Sequence, residues 1–181
     1  MKIIIFGASG AGTTTLGRSL AETLKWIHLD ADDFYWEKTK IPFQIKVPQK
    51  VRNQNLRKDF ELVENVIVSG SLVTWDSYWN GAFDLGVFLS LPHHVRMERL
   101  INREVERYGA RLKSDIEIKK KHQAFLKWAE QYDDESFEGR SIAQHKEWIK
   151  LLKCKTIEIM GDLSNDERRK IVMEQIQKLH K

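Results

Sequence analysis

Met1-Lys2-Ile3-Ile4-Ile5-Phe6-Gly7-Ala8-Ser9-Gly10-Ala11-Gly12-Thr13-Thr14-Thr15 opens the chain. Residues 2–6 are apolar almost without alternation, which predicts a strand buried on both faces. They run directly into glycines at 7, 10 and 12, and Leu16, Leu20, Ala21 and Leu24 then recur on one helical face. Strand, glycine-rich turn and helix make the P-loop arrangement, G-x-x-x-x-G-K-[S/T], except that Thr13 stands where lysine belongs. The glycines let successive N–H groups point at one anion, and the helix N-terminus adds about half a positive charge at the same spot. A phosphate site over Gly7, Ala8, Ser9, Gly10, Ala11, Gly12, Thr13, Thr14 and Thr15 is therefore expected. Such a stretch can also do no more than cap a helix, but a simple cap does not need three glycines at this spacing after a buried strand. Thr14 falls at the hydroxyl position that ligates Mg²⁺ in such sites.

The missing lysine has a chemical consequence. Its ammonium normally bridges the β- and γ-phosphates of a nucleotide and follows the moving charge. Either another cation replaces it, or the protein binds nucleotide with little turnover.

Composition sets the frame around this loop. A chain of 181 residues with 41% hydrophobic and 31% charged residues fits a single soluble α/β domain. No apolar run reaches the roughly 18 residues a membrane span requires. The opening apolar run is too short for a signal peptide. One cysteine, Cys154, excludes an internal disulfide and suits a reducing cytoplasm. The formal charge of +4 fits a nucleic-acid binder, and it fits an enzyme that handles phosphates at least as well. Nucleic-acid binding through the basic stretch 96–121 would show affinity falling steeply with salt.

Outward from the loop, strands and helices alternate, the pattern of a parallel sheet with helices on both faces. Strands are expected at 2–6, 26–29, 66–68, 85–91 and 156–160. A helix is expected at 14–25, an irregular stretch at 34–48, and a helix at 49–64 with Val51, Leu56, Phe60 and Val63 as its apolar stripe. A long charged region from 93 to 153 reads as three helices, near 93–108, 114–132 and 142–152. Ser164 and Glu167 form a capping box for a closing helix.

Asp30, Asp32 and Asp33 follow the second strand. In an open α/β sheet the carboxyl ends of the strands border the ligand crevice. One carboxylate there can hold a metal-bound water, and another can take the proton of a substrate hydroxyl. Trp75, Tyr78 and Trp79 lie beyond the third strand, where they either wall a pocket or pack in the core. Arg111 and Arg140 adjoin turns of the charged region and are the candidates to replace the absent lysine. The histidines form no metal-binding pattern and are read as structural or surface groups.

The chain resembles the nucleoside-monophosphate-kinase branch of the P-loop kinases, which includes adenylate and shikimate kinases. The spacing of strand, loop, helix and second strand is similar, and Asp30-Ala31-Asp32 resembles the Asp-x-Asp of shikimate kinases. Val87-Phe88-Leu89-Ser90-Leu91-Pro92 followed by Arg99 and Arg103 is similar to the stretch entering the lid of adenylate kinases. The resemblance implies a P-loop three-layer sandwich of about five parallel strands, with an acceptor-binding region near 31–64 and a helical lid near 104–145. It implies ATP and Mg²⁺ as cofactors, with Thr14 and Asp30 at the metal and Asp32 at the acceptor hydroxyl. Arg99 would stack on adenine, and Arg103 with Arg111 or Arg140 would stabilise the transferring phosphoryl group. The activity implied is transfer of the ATP γ-phosphoryl group to a small molecule or nucleotide, or nucleotide binding by a regulatory protein without much catalysis. The arginine that grips an acceptor phosphate after strand three is absent, since Ser69-Gly70-Ser71 stands there.

Overall fold

The computed structural model describes residues 1–179. Five strands, β1 (Lys2–Gly7), β2 (Ile27–Asp30), β3 (Val66–Ser69), β4 (Leu85–Ser90) and β5 (Lys155–Met160), form one sheet in the order β2-β3-β1-β4-β5. Every pairing is parallel, and β1 is central, with Ile4 opposite both Val68 and Gly86. This is the three-layer sandwich anticipated from the alternating pattern.

The unbroken apolar run of β1 follows from its place. Ile3, Ile4, Ile5 and Phe6 are wholly buried, and their side chains point alternately to two cores. Ile3 and Ile5 pack with Leu16 and Leu20 of α1 (Thr13–Leu24) and with Val172 and Ile176 of α8 (Asn165–Leu179). Ile4 and Phe6 pack with Leu56 and Phe60 of α3 (Gln49–Glu61) and Trp148 of α7 (Ile142–Leu151).

Two local readings change. The irregular stretch begins after Tyr35 and not at Phe34, because Asp30 caps a short helix, α2 (Ala31–Tyr35), by accepting from the Asp32 N–H at 3.0 Å. An aspartate before a helix is a favoured N-cap. On α3 the buried stripe runs through Arg52, Leu56 and Phe60, while Val51 faces solvent. Of the aromatic residues left open between pocket and core, Trp75 and Trp79 are buried in the core with Tyr78 packed against it, and all three also line a surface pocket of about 580 Å³; the Trp79 indole donates to Asn53 Oδ1 at 2.8 Å. The capping box of α8 is formed: the Ser164 N–H donates to Glu167 at 2.8 Å, and the Glu167 N–H donates back to Ser164 at 3.3 Å.

The charged region becomes α4 (His93–Tyr108), α5 (Arg111–Ser114), α6 (Ile116–Glu130), a 3₁₀ turn (Gln131–Asp133) and α7. Among the described residues no helix is long and apolar enough to cross a membrane.

Candidate active site

The P-loop lies at the carboxyl edge of β1, in the middle of the sheet. Gly10 and Gly12 adopt φ of 83° and 91°, values that side chains with a Cβ seldom take. A Cβ on Gly10 would also come within 2.8 Å of the Arg96 carbonyl of α4. Gly12 is the N-cap of α1 and supplies no side-chain hydrogen bond, so the first-turn N–H groups lack the usual capping partner. Outward-facing donors of this kind suit an anion such as a nucleotide phosphate.

The loop floors a cleft of about 630 Å³. Thr13, Thr14, Asp30, Asp32, Gly70 and Ser71 line it together with Arg99, Arg103, Arg107, Arg140 and Arg168. Five arginines thus share the cleft with three aspartates, counting Asp33.

Each arginine is held in its own way. The Arg140 Nη2 donates to Ser9 Oγ of the P-loop at 3.0 Å, and its guanidinium lies 5.0 Å from the Trp128 ring centre. Its buried Nε has no protein partner among the described residues. Burial lowers its pKa while Asp32 opposes the shift, and the group stays charged because guanidinium is so weak an acid. Arg103 lies 5.5 Å over Phe125, and burial and the neighbouring Arg107 lower its pKa. Arg107 stacks 4.3 Å from Phe43 and pairs with the buried Glu104 at 3.0 Å. Phe43 takes a φ of 62°, which brings an otherwise irregular loop to the mouth of the cleft. Beyond it, Lys121 of α6 bonds Gln44 of the same loop. Arg99 pairs with Asp162 after β5.

Arg168 was not singled out from sequence. From α8 its Nη1 donates to the Ala11 carbonyl at 2.8 Å and its Nη2 to the Gly161 carbonyl at 3.3 Å. Sequence offers no motif for it, only its position on the inner face of α8, one residue after the Glu167 of the capping box.

Asp32 lines the cleft with its side chain open to solvent, while the cleft walls crowd the space around it. Partial desolvation by the cleft walls raises its pKa, and Asp30 adds to the rise; Arg140, Arg103 and Arg107 pull it back. The residues therefore fit a bound Mg²⁺-nucleotide. Magnesium keeps several waters and takes one or two carboxylates plus phosphate oxygens, so a cage of three protein ligands is not required. No group of three metal-binding side chains occurs among the described residues.

Of the arginines weighed for the lysine's role, the fold brings Arg140 to the loop and not Arg111. Arg111 is half exposed, pairs with Asp115 at 3.3 Å and is absent from the cleft wall. Arg52 was also missed. It is 8% exposed, stacks 4.1 Å from Tyr35 and 5.0 Å from Trp75, and its Nε has no partner among the described residues.

A sheet in this order with a loop of this shape defines a protein with the fold of the P-loop kinases. The shikimate kinase of Bacteroides thetaiotaomicron superposes with a TM-score of 0.59 at 17% identity, over 98% of this chain and 98% of that one. Cytidylate kinase of Methanocaldococcus jannaschii is 30% identical over 131 residues, 66% of this chain and 70% of that protein. The uncharacterized protein YqaC of Bacillus subtilis (strain 168) is 39% identical over 167 residues, 92% of each chain. The chain belongs to the family of YqaC, among the P-loop kinases. No protein-family profile matches it.

Proposed function

We propose that the protein transfers the γ-phosphoryl group of ATP to a small acceptor. The observation that carries this reading is the contact of Arg140 with Ser9, which sets a guanidinium over a P-loop that has no lysine. The transferring group spreads negative charge over its oxygens, and fixed cations aimed at that charge are the main catalytic resource of such sites.

In this reading the amides of residues 7–15 cradle the phosphates, with Arg168 holding the loop's shape from behind. Arg99 lies beside Gly12, where it can stack on the nucleotide base. Thr14 and Asp30 would hold Mg²⁺, which would draw negative charge from the β- and γ-phosphates. Asp32 orients the acceptor hydroxyl and takes its proton as the acceptor oxygen bonds to the γ-phosphorus. The bond from that phosphorus to the β–γ bridging oxygen breaks, and ADP leaves. The raised pKa of Asp32 makes it a better base than a carboxylate with the ordinary value. Residues 104–145 act as a lid that closes Arg107 and Arg140 over the phosphates and excludes water. Residues 31–64 receive the acceptor.

Calorimetry with ATP and Mg²⁺, run beside a phosphotransfer screen over cytidine monophosphate, shikimate and gluconate, tests this. Binding with transfer to one acceptor is the expected result. Binding with no acceptor consumed points to a nucleotide-binding regulatory protein. Absence of ATP binding refutes both readings.

A further inference from the structure

The wall of the cleft next to Gly70 contains a buried chain of three polar side chains that the proposed reaction leaves unused. Ser71 follows β3 and lines the cleft. Its Oγ lies 2.8 Å from Nε2 of His145, and Nδ1 of the same ring lies 2.7 Å from the Tyr132 hydroxyl. His145 is wholly buried, and Ser71 and Tyr132 are 7% and 6% exposed. Phe6 and Phe88 pack against the imidazole, with ring centres 5.7 and 5.6 Å away.

Counting donors decides which way the protons run. A neutral imidazole carries one N–H and one acceptor nitrogen. Among the described residues neither the Tyr132 hydroxyl nor Ser71 Oγ has any partner besides His145. If Nδ1 carried the proton, it would donate to Tyr132, and the buried phenolic O–H would have no acceptor. Leaving such a donor unsatisfied costs about 1–3 kcal/mol. With the proton on Nε2, Tyr132 donates to Nδ1 and Nε2–H donates to Ser71 Oγ. In either tautomer one hydroxyl proton has no acceptor within the chain; in this one Tyr132, which does not line the cleft, is satisfied. The one left over is the Ser71 hydroxyl, at the cleft wall, where a ligand can accept it. Burial, assisted by the positive charge of Arg140, keeps the ring neutral.

We infer that Ser71, oriented by His145 and Tyr132, donates a hydrogen bond to an oxygen of the phosphoryl acceptor and so selects acceptors that present a carboxylate, phosphate or carbonyl oxygen there. This rests on the phosphotransfer reading, and it places Ser71 on the acceptor side of the cleft that Asp32 shares. His145 and Tyr132 act through Ser71 and are positioning residues. The arrangement also accounts for a serine rather than a cation after β3. A neutral donor recognises an oxygen without adding to the positive charge of the five cleft arginines.

Two measurements test it. Long-range ¹H–¹⁵N correlation of the histidine rings in the labelled full chain reads the tautomer without any ligand. The inference requires the Nε2–H form for His145, and the Nδ1–H form overturns it. Calorimetry on the protein loaded with the non-hydrolysable β,γ-imido analogue of ATP then uses cytidine monophosphate and shikimate as probes. For a probe that binds, Ser71→Ala should weaken its affinity about tenfold or more, as expected for losing a bond to a charged oxygen. The ATP analogue should bind as before, and Ser71→Thr should restore most of the loss. Tyr132→Phe should lose less, because His145 can then adopt either tautomer. An unchanged probe affinity in Ser71→Ala, or an equal loss for the nucleotide, refutes the inference. If neither probe binds the loaded wild type, that result counts against the phosphotransfer reading for these acceptors, and the tautomer decides the role of Ser71.

Discussion

Acidification from pH 7 to pH 5 should destabilise this protein chiefly through the His145 imidazole. Burial, with the charge of Arg140 added, depresses the pKa of His145 from 6.5 to about 3. The native ring is therefore neutral throughout that interval, while the ring of the unfolded chain gains a proton. A group whose folded pKa is depressed contributes its stability above the unfolded pKa and loses it as pH falls toward the folded one. The window here runs from 6.5 down to about 3. Each pH unit inside it costs about 1.4 kcal/mol, so pH 5 costs about 2 kcal/mol from this residue. Urea unfolding of wild type and His145→Asn at both pH values isolates the contribution, because the carboxylates and His28 titrate alike in the two proteins. Wild type should lose about 2 kcal/mol more than the variant between pH 7 and pH 5. Equal losses in the two proteins would refute the reasoning and place a charged or solvated imidazole at this site.

Further outcomes follow from the cleft. Arg140→Gln should lower phosphotransfer by a factor of about 10²–10³, as removal of one transition-state donor does, with a much smaller change in ATP affinity by calorimetry. Thr13→Lys should leave ATP turnover unchanged or lower it, because the new ammonium enters a space already faced by five arginines; a severalfold gain in steady-state rate would show that no arginine fills the role. Arg168→Met should cost about 1–3 kcal/mol in thermal unfolding by stranding the Ala11 carbonyl, and it should weaken nucleotide binding at the same time.

How much of this was legible in the sequence depended on distance along the chain. The P-loop is local: strand, glycines and helix stand within 15 residues, and the positive φ values at Gly10 and Gly12 make the spacing obligatory. The parallel sheet was legible because β1 and β3 are buried on both faces and show no alternation. Arg140 and Arg111 were equivalent as sequence, each an arginine near a turn. Only the path of the loop after the 3₁₀ turn carries one of them to Ser9, 131 positions away. Arg168 reaches Ala11 across 157 positions, and no periodicity encodes such a contact. His145 belonged to a scatter of histidines with no metal spacing, and its partners Ser71 and Tyr132 come from separate elements. On α3 the expected Leu56 and Phe60 are buried, and only the first position of the stripe differs: Val51 is exposed, and Arg52, packed against both Tyr35 and Trp75, is buried in its stead.

The Arg168 clamp has a further consequence, in the order in which the molecule is made. β1 and its loop leave the ribosome first, yet the neighbours of β1 in the sheet, β3 and β4, are synthesised 60 to 90 residues later. The group that fixes the Ala11 carbonyl comes only with α8. A growing chain can collapse its first helix onto β1 early, but it cannot hold the phosphate loop in its final shape until α8 docks. Under the proposed function, nucleotide binding during synthesis would therefore report that α8 has docked, and ATP would stabilise the finished fold while doing little for any shorter one.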